Sequence, residues 1–194
     1  MLKFLVGFAA AIVIVFLAAF SYVRLGLFDP RADIEVGSLE TTIAMPSLDA
    51  AVDRRAEGAR NPLLPTEANL IAGARIYQAD CASCHGDIHR TQGALAASLY
   101  PRAPQFLEDA PDMPENQNYY IVAHGIRLTG MPAWKQVLSE QEMWQVTTLL
   151  SHLGKLPPQV SDKWKLMAGA TPDTESSQVG PKNGLQARAT MPMY

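Results

Sequence analysis

The two cysteines of this 194-residue chain stand close together, in Cys81-Ala82-Ser83-Cys84, and His85 follows directly. A redox-active dithiol, half of a structural zinc site and covalent haem attachment all use this cysteine spacing. A thioredoxin-like dithiol requires a neighbouring βαβ pattern, which the sequence lacks. A zinc site requires two more ligands at suitable spacing, whereas the other histidines are scattered. The pattern therefore favours haem, with each thiol adding to one vinyl group and His85 donating an imidazole nitrogen to the iron.

An electron-transfer haem held in this way needs a sixth ligand, and the chain has eight methionines. Two of them, Met113 and Met131, lie in the compact region outside the apolar helix stripes and precede a proline. Met131 stands in a turn-forming stretch, where Gly130 permits close approach to the macrocycle and Pro132 fixes the turn. Met113 lies among acidic residues that favour solvent. Met131 is the predicted ligand, with Met113, a histidine or an open position as alternatives.

The N-terminal residues form an apolar block, with no charged residue between Phe4 and Val23. Twenty helical residues span about 30 Å, the thickness of the hydrocarbon core of a bilayer. The block is longer than the roughly 7–15 apolar residues of a cleaved signal peptide. We therefore expect residues 1–24 to be an uncleaved transmembrane signal-anchor helix, with its N terminus in the cytoplasm and the following residues exported.

The remaining chain divides into three parts by composition. Residues 25–64 contain too few apolar residues for their own core and are interpreted as a juxtamembrane linker that can lie against the next domain, with a short helix from Ser47 to Arg55. Residues 65–158 have a helical pattern and form the predicted haem domain. Residues 159–194 are rich in Pro, Gly, Ser and Thr, and we expect them to be mostly irregular. The net charge of −3 and the dispersed basic residues argue against nucleic-acid binding.

Three helices are predicted in the haem domain from their end signals. One is capped by Thr66 and runs into Cys81, one runs from Pro114-Glu115 to Gly125, and one runs from the capping box Ser139–Glu142 to Gly154.

Several of these motifs together carry a family resemblance: Gly73-x-x-x-Tyr77-x-x-x-Cys81, Cys84-His85, His124-Gly125-Ile126, Gly130-Met131-Pro132 and the capped helix with Trp144. They resemble a class I c-type cytochrome, and more narrowly the bacterial membrane-anchored monohaem type, over about residues 64–165. The resemblance implies an all-α, cytochrome c-like domain whose first and last helices cross, with Gly73 leaving room for an aromatic side chain such as Trp144. It also implies that a proline carbonyl orients the ring of His85, with Pro104 and Pro101 as candidates.

The expected function is one-electron transfer by a single covalently bound haem c, with no enzymatic activity of its own. The expected partners are redox proteins, including a membrane dehydrogenase or oxidase complex, and the expected location is a bacterial inner membrane with the haem domain in the periplasm. The alternative is a haem-based sensor or peroxidase-like protein with an open distal site, which the Met131 loop disfavours. A non-haem interaction module is a third hypothesis, and it predicts a colourless protein.

Overall fold

A computed structural model describes residues 1–27, 29–34, 37–89 and 93–170. Within these ranges the chain is helical and without β-strands, which confirms the predicted all-α class. The α-helices are α1 Leu2–Arg24, α2 Ser38–Ala56, α3 Glu67–Ile76, α4 Ala82–His85, α5 Ala94–Ser98, α6 Glu115–His124, α7 Glu140–Leu150 and α8 Pro158–Ala170. A π-helical turn, Tyr77–Cys81, joins α3 to α4, and 3₁₀ turns occur at Trp134–Gln136 and Leu153–Lys155.

The core lies where α3 and α6 pack against α7. Gly73 of α3 permits the closest approach, since a Cβ at this position would collide with the backbone carbonyl of Gln145. The three atoms nearest to such a Cβ belong to Gln145 and Leu149 and not to an aromatic side chain. Trp144 instead stacks on Tyr119, with ring centroids 3.8 Å apart. A side chain on Gly73 would separate the two helix backbones.

The predicted helix ends are confirmed where a short motif specifies them. The Thr66 side chain accepts a hydrogen bond from the backbone N–H of Asn69 at the start of α3. At the start of α7, Ser139 and Glu142 form the reciprocal capping box. Gly125 follows α6 with a φ of 64°, a conformation that glycine adopts without strain. These caps fix the starts of α3 and α7 and the end of α6, whereas α7 ends at Leu150, before the predicted end at Gly154.

The C-terminal part of the chain differs from the expectation of a mostly irregular tail. Residues 158–170 form α8, which packs against α3. Trp164 is fully buried, and its ring lies edge-on against Tyr77 with centroids 5.3 Å apart. Val160, Trp164 and Ala168 recur every four residues and form the buried stripe. Residues 171–194 lie outside the described residues.

The segment before α3 is more ordered than the linker interpretation expected. The helix foreseen between Ser47 and Arg55 is longer, Ser38–Ala56, and it contains Pro46. Val52 and Ala56 are buried, and α2 packs against α6. The apolar side chains of this segment are thus buried against α6 and not in a core of their own.

The N-terminal helix α1 has no buried residue. It is 23 residues long, its most apolar 18-residue stretch has a mean hydropathy of 2.7, and by length and composition it could cross a membrane. Among the described residues it is the one helix that meets this criterion.

Candidate haem site

Three of the four predicted site residues, Cys81, His85 and Met131, lie in the wall of one cleft. Cys84 is on α4, half-buried and outside this lining. The other side chains of the wall are apolar or aromatic: Tyr77, Phe106, Val122, Trp134, Leu138, Val146 and Leu150. One predicted attachment residue, Cys81, and both predicted ligands are thus brought together in apolar surroundings.

The continuous helical path from α3 to α4 positions the cysteine motif. Gly86, with a φ of 80°, ends this path directly after His85. The hydroxyl of Tyr77, which is fully buried, donates to the backbone carbonyls of His85 at 3.1 Å and Gly86 at 2.8 Å. Burial, together with Cys81 and Asp87, raises the pKa of Tyr77 well above its usual value, so the phenol remains a donor. Tyr77 therefore fixes the backbone that carries His85.

A four-residue segment, Ala103–Phe106, holds His85 from the other side, and we call it the proximal strap. The carbonyl of Pro104 lies 2.9 Å from His85 Nδ1, so the structure selects Pro104 over Pro101. The ring of Phe106 stacks on the imidazole with centroids 4.4 Å apart and planes within 3°. The Phe106 N–H also donates to the His85 carbonyl at 3.2 Å, and Gln105 Nε2 donates to the Cys84 carbonyl at 3.0 Å.

These contacts leave His85 in the state that a metal ligand requires. Since a carbonyl only accepts hydrogen bonds, the bond to Pro104 assigns the proton to Nδ1 and leaves the lone pair on Nε2. Burial lowers the pKa of His85, while the bond to Pro104 acts in the opposite direction. The neutral imidazole is therefore favoured, and it is the form that binds iron.

Met131 is held by a local network. Its N–H donates to Thr129 Oγ1 at 3.1 Å, and that hydroxyl donates to the carbonyl of Ile126 at 2.8 Å. The Ile126 N–H returns a bond to the Met131 carbonyl at 3.2 Å. A Cβ on Gly125 would lie 2.6 Å from the Met131 carbonyl oxygen, so only glycine fits there. The Leu99 side chain lies against Gly130.

The two thiols are free and not joined in a disulfide. Burial is the main cause that raises the pKa of Cys81 to about 12, with smaller contributions from Asp80 and Cys84. Two free thiols, a neutral imidazole and a thioether beside one apolar cleft fit a c-type haem. Within the part of the chain that the structure describes, no group of three or more His, Cys, Asp or Glu side chains could hold a metal ion.

The alternative ligands lie elsewhere. Met113 precedes α6, where its carbonyl accepts a bond from Asn118 Nδ2, and it is outside the cleft wall. His124 contacts Lys135, and His152, which follows α7, bonds to the carbonyl of Thr148 in α7.

Comparison with known proteins gives one family match. Residues 68–150 match the family model described as cytochrome c oxidase, cbb3-type, subunit III. A solved chain from the Kuenenia stuttgartiensis reducing HAO-like protein complex is 27% identical, with a TM-score of 0.42, and the match covers 47% of this chain and 46% of that one. This chain thus spans less than half the length of that relative, and no curated protein matches it significantly. The family match and the helical fold support the resemblance of this chain to a class I c-type cytochrome.

Proposed function

We propose that the protein is a membrane-anchored monohaem c-type cytochrome that carries single electrons between redox proteins. Cys81 and Cys84 would hold one haem c through thioether bonds, and His85 and Met131 would bind its iron. The observation that carries the proposal is the placement of Cys81, His85 and Met131 in the wall of one apolar cleft.

The haem, when bound, supplies reversible exchange of one electron between Fe(III) and Fe(II). The protein's own residues set the conditions for this exchange. Pro104 and Phe106 fix the tautomer and orientation of His85, and the apolar wall excludes water. The Met131 thioether is a soft, neutral ligand that favours Fe(II), so the midpoint potential is expected to be relatively high.

The same lining supports a carrier over an enzyme. Peroxidase-like chemistry needs an open position beside a polar pair, usually histidine with arginine. Among the described residues of the cleft wall, His85 is the one histidine and arginine is absent. If His85 and Met131 both bind the iron of a haem held there, no ligand position would be left for a substrate.

The proposed location is a bacterial inner membrane, with α1 as the anchor and the haem domain in the periplasm. The length and hydropathy of α1 support anchoring, and the haem attachment motif supports export. Alkaline extraction of native membranes tests this part: the chain should remain with the lipid, and protease added to the periplasmic side should release a fragment that contains haem. Release of the intact chain would contradict the anchor.

The partners are proposed to be redox proteins, including a membrane dehydrogenase or oxidase complex. The matched family is described as an oxidase subunit, which supports docking into such a complex. The test is mild detergent solubilisation, purification through this chain and mass spectrometry of stoichiometric companions. A fixed set of co-purifying redox subunits would identify the protein as a subunit of a complex. A protein that purifies alone and is red and redox-active would be a tethered carrier. A colourless protein would contradict the proposed function.

A further inference from the structure

The helix α2 has the contacts of a domain element, although it lies between the apolar helix and the haem domain. Val52 and Ala56 are 2% and 1% exposed, and α6 is the element against which α2 packs. Polar bonds border this contact: Asn116 Nδ2 donates to the Ala56 carbonyl at 3.0 Å, and Gln117 Nε2 donates to Asp53 Oδ1 at 3.1 Å.

Two further bonds tie the same segment to the haem domain. Near the start of α2, the Tyr100 hydroxyl donates to Glu40 Oε2 at 2.6 Å. Between α2 and α3, Asn61 Nδ2 donates to Thr148 Oγ1 at 2.8 Å, and Thr148 is fully buried in α7. The segment from Ser38 onwards is therefore attached along its length, whereas no residue of α1 is buried.

We infer that the docking of α2 on α6 shortens the membrane tether to residues 25–37 and so directs the haem domain to redox partners held in the same membrane. The inference rests on the proposed membrane anchor. At about 3.5 Å per residue, a fully extended chain from Arg24 to Ser38 reaches about 50 Å. A free chain over residues 25–64 would reach nearly three times as far, about 140 Å. The docked helix thus keeps the start of α2, where the haem domain is attached, within about 50 Å of the bilayer surface.

The site of docking adds a second consequence. Asn116 and Gln117 face α2, while Val122, less than two turns further along α6, lines the cleft. The helix α6 therefore contacts the docked α2 near its start and lines the cleft further along. The tether limits both how far the cleft travels and how the cleft is presented to the membrane.

The test uses the full-length, haem-loaded protein in a supported phospholipid bilayer, with neutron reflectometry to measure the height of the protein layer. Val52→Asp places a carboxylate in the α2–α6 contact and should undock α2. The matched control is Ile43→Asp, because Ile43 is on the same helix but 60% exposed. By the square-root law, the root-mean-square tether length should increase about 1.7-fold in Val52→Asp and stay at the wild-type value in Ile43→Asp.

A second variant lengthens the tether by an insertion and leaves the docking of α2 unchanged. About 27 Gly/Ser residues placed between Arg31 and Ala32 should raise the layer as far as Val52→Asp does. Hydrogen exchange on the same samples should show α2 amides as protected as those of α6 in the wild type and the insertion variant, and unprotected in Val52→Asp. The wild-type measurement does not depend on any variant folding.

Two results would overturn the inference. Rapid exchange throughout α2 in the wild type would show that the helix is not docked, and equal layer heights in all variants would show that docking does not limit the reach. A wild-type chain that fails to insert into the bilayer is a different failure, since it removes the anchor of the proposed function and the tether with it.

Discussion

His85 and Met131 lie in the same cleft, but different amounts of structure hold them. His85 is fixed by the proximal strap, about twenty residues away in sequence, and by the buried hydroxyl of Tyr77. Met131 is fixed mainly by hydrogen bonds within residues 126–131. The His85 side is therefore part of the tertiary core, whereas the Met131 side is a locally bonded loop. When the domain is destabilised, the Met131 loop should therefore lose its structure before the surroundings of His85 do.

Met131→Ala is expected to have the largest effect. Alanine has no donor for the iron, so a high-spin or water-ligated iron should replace the low-spin state. Each tenfold preference of a ligand for Fe(II) is worth about 59 mV, and we expect a drop in midpoint potential above about 100 mV. Redox titration with optical spectroscopy measures both changes. An unchanged spectrum would assign the sixth ligand to another residue, and the comparison of His85 with Met131 would no longer concern the two ligands.

Phe106→Ala tests the His85 side. A fully buried Phe→Ala change costs about 3–5 kcal/mol, and for the half-buried Phe106 we expect about 2–3 kcal/mol of unfolding free energy. The methionine–ferric charge-transfer band should persist, because the Met131 loop is untouched. Urea unfolding of the haem-loaded protein gives the free energy, and Phe106→Leu, which keeps most of the volume, should lose less. Loss of the charge-transfer band with little loss of stability would contradict the comparison. It would show that Phe106 supports the Met131 loop more than it supports the core around His85.

Thr129→Val tests the hydrogen bonds of the Met131 loop. Valine has nearly the shape of threonine but leaves the Met131 N–H and the Ile126 carbonyl without this partner, at a cost of about 1–2 kcal/mol. The affinity of the ferric protein for added imidazole, which competes with Met131, should rise about tenfold. Thr129→Ser retains the hydroxyl and should restore the wild-type affinity. Equal affinities in all three proteins would show that these bonds do not hold the loop.

Glu142→Gln changes the capping box at the start of α7 and should have the smallest effect of the four substitutions. Hydrogen bonds from the Ser139 side chain and backbone lower the pKa of Glu142. A carboxyl with a lowered folded-state pKa contributes stability above its unfolded pKa, and that contribution is lost as pH falls through the folded pKa. Wild type should therefore lose more stability than Glu142→Gln on acidification, as measured by thermal unfolding at several pH values. Identical pH profiles would show that the cap contributes nothing.

The parts of the fold that the sequence predicted are those with contiguous signals. The haem motif, the capping box and Gly125 each depend on neighbouring residues, so their meaning does not require the tertiary structure. The helix α8 was missed because the composition of residues 159–194 is dominated by the part beyond the helix. The stripe of Val160, Trp164 and Ala168 was the signal available.

The site shows the same division. Cys81, Cys84 and His85 could be predicted from spacing, and Met131 by comparison of eight methionines. The role of Thr129 had a local signal in the sequence. Its hydroxyl lies two residues before Met131, and threonine hydroxyls often accept hydrogen bonds from a backbone N–H two residues further on. The stacking of Phe106 on His85 had none, because it depends on how residues 103–106 fold back over α4. The docking of α2 likewise depends on a face of α6 that is not adjacent in sequence.

The central claim is that one haem, held by His85 and Met131, exchanges one electron at a time. The most direct test is an optical redox titration of the purified full-length protein, followed from the oxidised to the reduced state. The account predicts one haem per chain, a single reversible one-electron transition and a methionine–ferric charge-transfer band that disappears on reduction. A high-spin resting protein without this band, or more than one transition, would contradict it.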